Sequence, residues 1–394
     1  MAGGRSGGRK ERATPSLPRK ALVLQADAPC DLAARRAAEG AIVLAVDERA
    51  EAALEKAGVP HRRASASRAI DSADPAVRIW TRVWGRLPLV DGRSFRELAE
   101  WKGESLWWMG EAFFRTATEA PLCVELVERF LGLLETEDPA EIEAIGLPAN
   151  DALLLSRACT VKGVLYHGPA SARPRTQPSA WEWQGRREAW AASLRGLRGG
   201  RPRGVPGVIA LVVEPGAESG TSALAGAFGS EAQLASLPDL LAAASRPARV
   251  LAGEGRRRLR DLWHRLRGSP GVHQSFTHRG VGFFDVAGAD LAGLLLARLP
   301  AAVRLYEAAA EWLHGTRPPA LVLVVPSRDD RRTLLAAARA AGVPSIVLRP
   351  GGDGDEGERA DGGPQADHVL SGGAASDPEQ VRSLVAARGR VGGP

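Results

Sequence analysis

Short apolar runs alternate with amphipathic stretches along the first sixty residues. Ala21–Ala26 is almost wholly apolar, Asp31–Gly40 carries helical spacing and stops at a glycine, Ala41–Val46 is apolar again, and Glu48–Ala57 is amphipathic and closes at Gly58-Val-Pro60. Strand, helix, strand, helix at this spacing predicts a parallel sheet with helices on its faces. From Asp74 to Phe130 the pattern predicts helices rich in indoles: Trp80, Trp84, Trp101, Trp107 and Trp108. A third unit follows, with a strand over Ile142–Leu147, a helix over Asp151–Lys162 and a strand over Val164–Tyr166. Pro169–Gly204, heavy in Pro, Arg and Gly, predicts a linker around one short helix near Trp181–Leu197.

The plan then restarts. Val208–Val213 predicts a strand, Arg249–Leu251 a further short one, and Arg256–Leu266 and Asp290–Leu313 helices. Ala320–Val325 predicts a buried strand, Asp330–Ala341 a helix and Ser345–Leu348 a last strand, before an acidic, Gly-rich loop over Gly351–Gly363. The expected fold class is therefore α/β, with two Rossmann-like parallel-sheet halves. Residues 20–168 form the first half and 205–375 the second, joined by the linker 169–204, with a disordered tail over 1–19 and a C-terminal tail over 376–394.

The halves align with one another. Pro121–Val164 and Pro300–Val343, at a constant offset of 179, share eleven of 44 residues without a gap, including Glu128/Glu307, Asp151/Asp330 and Gly163/Gly342. Chance at this composition gives about three or four, so the pattern indicates internal duplication. The offset continues upstream through Trp84/Trp263 and Leu87/Leu266, and a two-residue slip then pairs Lys102-Gly103 with Arg279-Gly280. Gly163 and Gly342 sit where a left-handed cap would end a helix before a buried strand.

Composition adds limits. The net charge is +6, and Ala, Arg, Gly, Leu and Pro dominate, a skew typical of a GC-rich bacterial genome. A basic balance raises a nucleic-acid role, but only the run Arg256-Arg-Arg258-Leu-Arg260 clusters the charge, and it fits a solvated helix face as readily. Cys30, Cys123 and Cys159 are far apart and fit small buried residues in a reducing compartment, with no metal site implied. The basic N-terminus lacks the apolar core of a secretory signal and no apolar run of membrane length stands out, so the expected location is cytoplasmic.

Neither GxxxxGK[ST] nor HExxH occurs. Gly216–Gly229, after a predicted strand, could present amides to an anion or be a surface loop. His273 and His278 lie on a predicted loop with no carboxylate nearby in sequence. His167, in Tyr166-His167-Gly168 just past a predicted strand, is the better base or phosphate contact, against the plainer reading of a polar loop residue. Asp151 and Asp330 open predicted helices as N-caps or as functional carboxylates. In Glu100–Trp108, the indoles of Trp101 and Trp107 with Lys102 and Glu104 offer a sugar-stacking wall or a protein contact, or else the core of a helical layer.

Two segments, WKGESLWWMGEAFF (101–114) and RPPALVLVVPSRDDRRTLLAAARAAGVPSIVL (317–348), resemble bacterial surface-carbohydrate and capsule-polysaccharide biosynthesis proteins of the GT-B glycosyltransferase type. The resemblance implies two facing Rossmann-like halves, a nucleotide-sugar donor, a saccharide acceptor and no further cofactor. His167 would then be the catalytic residue, and Trp101, Lys102, Glu104, Trp107, Asp151 and Asp330 would contact substrate. The family's Gln-His-Gly turn is replaced by Arg349-Pro-Gly-Gly352, with Tyr166-His167-Gly168 a partial match in the first half, and the donor domain is expected to be incomplete. Two alternatives stay open: a non-catalytic scaffold or regulatory partner using the Trp-rich segment as its protein interface, and a basic nucleic-acid binder.

Overall fold

The protein is described here by a computed structural model, which covers residues 20–24, 29–63, 69–116, 119–169, 205–213, 226, 228–324, 328–349, 365–371 and 377–389. The expected N-terminal tail, the linker helix near 181–197, most of Gly216–Gly229 and the stretch 351–363 lie outside the described residues.

Two five-stranded parallel sheets form the framework. The first has the order β3-β2-β1-β8-β9, from Arg62–Arg63, Ile42–Ala45, Lys20–Leu24, Glu141–Ile145 and Leu165–His167. Ala21 pairs with Ile42 on one side and Ile142 on the other. The second has the order β11-β10-β14-β15-β16, from Ala232–Ser236, Ile209–Val213, Leu321–Val324, Ser345–Arg349 and His368–Ser371. Ala21 to Leu24 and Ile209 to Val213 are buried at every position, as strands covered by helices on both faces must be. In the first sheet Leu22, Leu24, Val43 and Ala45 pack with Ala33, Ala50 and Leu54 of the helices Cys30–Ala38 and Glu48–Lys56.

β3 and β11 escaped the sequence pattern because each is short or polar; β3 is only Arg62-Arg63. Arg249–Leu251, expected as a strand, lies inside the helix Arg246–Leu266. That helix starts early because Ser245 Oγ accepts from the Ala248 amide and Pro247 occupies its first turn, where a missing N–H costs nothing. The expected C-terminal tail contains the helix Pro378–Gly389, whose buried Val381 packs with Ile209, Leu211 and Ile346 of the second sheet. The second sheet, like the first, has five strands.

The described chain falls into two compact units that interleave the halves of the sequence. The first unit draws on the described residues of Met1–Ala76, Cys123–Arg173 and His278–Gly282; the second draws on those of Val77–Leu122, Pro174–Thr277 and Phe283–Pro394. The first unit contains the first sheet, the long helix Glu119–Glu137 from Cys123 onward and the helix Ala149–Lys162. The second contains the other sheet, the long helix Leu299–Thr316 and the helix Arg328–Ala341.

Positions at the repeat offset share backbone angles. Asp138 and Arg317, 179 residues apart, close the two long helices at φ 45° and 44°, and Gly163 and Gly342 close the following helices at 70° and 68°. The repeated proline has different consequences. Pro121 lies in the first turn of Glu119–Glu137, whereas Pro300 falls inside the continuous helix Phe284–Thr316, directly after a π turn at Leu294–Arg298. A proline has no N–H to give the preceding turn, and the wider turn absorbs the missing bond. Phe284–Thr316 is long and apolar enough to cross a membrane, a run the sequence pattern did not single out, and 78% of its most apolar stretch is buried.

An aromatic layer fills the second unit. Trp84 is fully buried, packs 5.5 Å from Trp107, 5.2 Å from Phe95 and 5.4 Å from Phe276, and donates its indole N–H to Ser275 Oγ at 2.8 Å. Gly85 exists because a Cβ there would lie 2.2 Å from the Trp107 ring. Gly85→Ala is therefore expected to cost about 1–3 kcal/mol by overpacking. Gly132, in a helix with open space around its missing Cβ, should instead gain roughly 0.5–1 kcal/mol on replacement by Ala. Denaturant unfolding of the two variants checks the contrast, and equal effects would refute the packing account.

Candidate functional site

Glu307 sits in Leu299–Thr316 and is 3% exposed. A buried carboxylate needs partners, and a hairpin supplies them. The strands β6, Glu100–Trp101, and β7, Glu104–Ser105, are joined by a two-residue turn with Lys102 at φ 50° and Gly103 at φ 83°. Both values are positive, which a primed hairpin turn requires. Trp101 Nε1 donates to Glu307 Oε1 at 2.8 Å and Lys102 Nζ donates to Oε2 at 2.8 Å. Lys102 Nζ also lies 5.9 Å from the Tyr306 ring centre, and Arg339 donates to Glu104 at 3.5 Å.

The same device recurs in the first unit. The strands β12, Thr277–His278, and β13, Val281–Gly282, are joined by Arg279 at φ 47° and Gly280 at φ 85°. His278 Nε2 lies 2.5 Å from Glu128 Oε1, while Arg279 donates to Glu128 Oε2 at 2.9 Å and to Glu135 at 2.6 Å. Glu128 is the repeat equivalent of Glu307, Arg279 of Lys102, and His278 of Trp101. Arg157 donates to the Gly282 carbonyl at 2.7 Å and fixes the far end of this hairpin. Burial works to raise the Glu128 carboxyl, but hydrogen bonds from His278 and Arg279, with their charges, hold its pKa below the ordinary range. His278 thus has the carboxylate partner that its sequence neighbourhood lacks. His273 is not beside it in role: its ring stacks on Phe284 at 3.8 Å and its Nε2 lies 3.0 Å from the Arg267 carbonyl oxygen.

The structure spends Trp101 and Lys102 on one clamp, while Glu104 on the same hairpin pairs with Arg339. Trp107 lies in the aromatic layer instead, 2% exposed, and Trp108, 5% exposed, faces the Arg332 guanidinium at 5.8 Å. The burial of these indoles fits the core reading of the segment, because no ring face is offered to a sugar. Asp151 and Asp330 are not the N-caps. Pro148 caps Ala149–Lys162, which starts two residues before Asp151, and Arg328 starts the other helix two residues before Asp330. Both carboxylates occupy the first helical turn, where a negative charge favours the helix dipole.

His167 ends the edge strand β9 and is half exposed. Its Nε2 lies 2.9 Å from Glu141 Oε1, and the other Glu141 oxygen pairs with Lys20 at 3.2 Å. Glu141 is the first residue of β8, so the pair lies toward the amino end of that strand. Cys123 and Cys159 are buried, as small apolar residues would be, and burial pushes the Cys159 thiol up to about 12. Glu51, Glu55 and His61 bring ligand atoms within 4.8 Å of one another, but Arg63 approaches Glu51 at 3.6 Å and His61 Nδ1 lies 2.9 Å from the Val59 carbonyl oxygen. No family model, no curated protein and no solved structure matches the chain.

The two clamp glutamates were not singled out as functional residues, although both stand among the identities of the repeat. The Glu128 clamp gives a pH dependence with a definite sign. A carboxyl held below its unfolded pKa contributes stability that is fully present above the ordinary carboxylate range of about 4 and is lost as pH falls through the folded value. Glu128→Gln should therefore melt lower at neutral pH and lose less on acidification from about pH 5 to pH 3 than the parent. Parallel acid limbs for the two proteins would show that the clamp carries no such linkage.

Proposed function

We propose that the chain is a glycosyltransferase-like protein of surface-polysaccharide biosynthesis, in which a Rossmann-like unit binds a nucleotide sugar. The observation that carries this reading is strand order. In the first sheet the chain moves outward from β1 to β2 and β3, then returns to β8 on the other side of β1. In the second it moves from β10 to β11 and returns to β14. Each reversal opens a crevice at the carboxyl ends of the central strands, the place where open parallel sheets take nucleotides. The likeness of segments 101–114 and 317–348 to GT-B proteins supports the choice of a sugar donor. In this reading His167 acts as base only with its ring turned away from Glu141, because that pair lies toward the amino end of β8 and the crevice lies at the carboxyl ends.

A second reading, a non-catalytic scaffold or regulatory partner of the same descent, is favoured by one observation. Trp101 and Lys102, the residues expected to hold a sugar, are committed to Glu307.

Thermal unfolding against UDP-, GDP-, dTDP- and CMP-sugars separates the readings. A working donor site predicts a dose-dependent rise with one nucleotide, about 2.7 kcal/mol at a hundredfold excess over Kd. His167→Ala should keep that rise and lose transfer. If all four donors leave the melting temperature unchanged, the transferase reading fails and the scaffold stands.

A further inference from the structure

One face of the helix Arg246–Leu266 is charged where packing does not use it. Glu254, Arg257, Arg258, Asp261, Leu262 and Arg265 recur at helical spacing and, with Arg93 and Leu98 from across the groove, line a cleft of about 400 Å³ in the second unit. The buried stripe of this helix runs through Ala248, Ala252, Gly255, Leu259 and Leu266, so most of these charges are not anchored by the core.

The four guanidinium groups are held to different degrees. Arg265 donates to Asp91 at 2.8 Å, and Arg93 donates to the Glu97 carbonyl at 2.6 Å. Arg257 and Arg258 are exposed and have no hydrogen-bond or ion-pair partner among the described residues. Glu254 and Asp261 stand one turn away on the same helix, yet neither is ion-paired with them. Such exposed pairs are worth about 0–1 kcal/mol and would not hold the arginines against a stronger acceptor. A phosphate oxygen is one, because guanidinium groups bind it through two parallel charge-assisted hydrogen bonds. The cleft volume falls within the range of small-ligand sites, about 300–1,000 Å³.

We infer that this cleft binds a di- or triphosphate group, with Arg257 and Arg258 as its principal ligands, Arg93 and Arg265 flanking them, and Leu98 and Leu262 forming its apolar floor. Four guanidinium groups against the two lining carboxylates and Asp91, which already holds Arg265, leave the cleft net positive and favour an anion. None of the lining residues belongs to the two large parallel sheets, so the site is separate from the strand-end crevices and does not depend on the sugar-donor reading.

Calorimetric titration of the full chain with inorganic tripolyphosphate, ATP and adenosine tests this. Tripolyphosphate and ATP should bind and adenosine should not. Arg257→Ala combined with Arg258→Ala should weaken both by about tenfold or more, with an unchanged melting temperature because both side chains are exposed. Arg257→Lys with Arg258→Lys should recover part of the affinity. Asp261→Asn should tighten binding by removing a like charge. Absence of tripolyphosphate binding, or equal affinity in the double alanine variant, would overturn the inference. A nucleotide-sugar shift that survives the double alanine variant belongs to a strand-end crevice, so the two proposals fail separately.

Discussion

Each compact unit is completed by a hairpin that the other half of the sequence supplies. The acceptor is a glutamate on a long helix, and the donor is a positive-φ turn carrying a cation, preceded by a ring N–H or ring nitrogen. In one unit these are Glu307, Lys102 and Trp101; in the other they are Glu128, Arg279 and His278. The carboxylates are partly or fully withdrawn from water, so leaving them unmatched would be costly. That constraint explains why repeat residues far apart in sequence keep the same types: the glutamate, the cation and the glycine must all be kept together. It also explains why the contact units interleave the halves.

Each half of the sequence carries both a hairpin and a glutamate, yet in the fold each hairpin meets the glutamate of the other half. Two copies satisfy one another, as in domain swapping. The two clamps differ in their ring member. One has kept an indole that cannot titrate, and the other has an imidazole.

The parallel sheets were legible because their strands are short, apolar and followed by helices with clear stops. Gly163 and Gly342 marked their boundaries through a backbone angle that other residues resist. β3 was not legible, since a strand of two arginines has no hydrophobic period and belongs to the sheet only through its neighbours. The hairpins were hidden for another reason: Glu100–Ser105 lies between helical patterns, and its Trp101 faces a core residue 206 positions away. The partner of the Trp-rich segment was hidden in the same way. Trp101 and Lys102 carry the chemistry of a sugar site in sequence, and only the position of Glu307 shows that the fold uses them. The charges of the Arg256–Arg260 run were visible, but a cleft also needs Arg93 and Leu98, which the repeat alone does not place there.

The aromatic layer also divides the molecule optically. The seven tryptophans among the described residues all fall in the second unit, and the described residues of the first contain none. Emission from these indoles therefore follows the second unit, whereas the first carries Tyr166 as its aromatic reporter. Far-ultraviolet dichroism sees helices in both. Any gap between the two signals during unfolding measures how far one unit can come apart while the other stays folded.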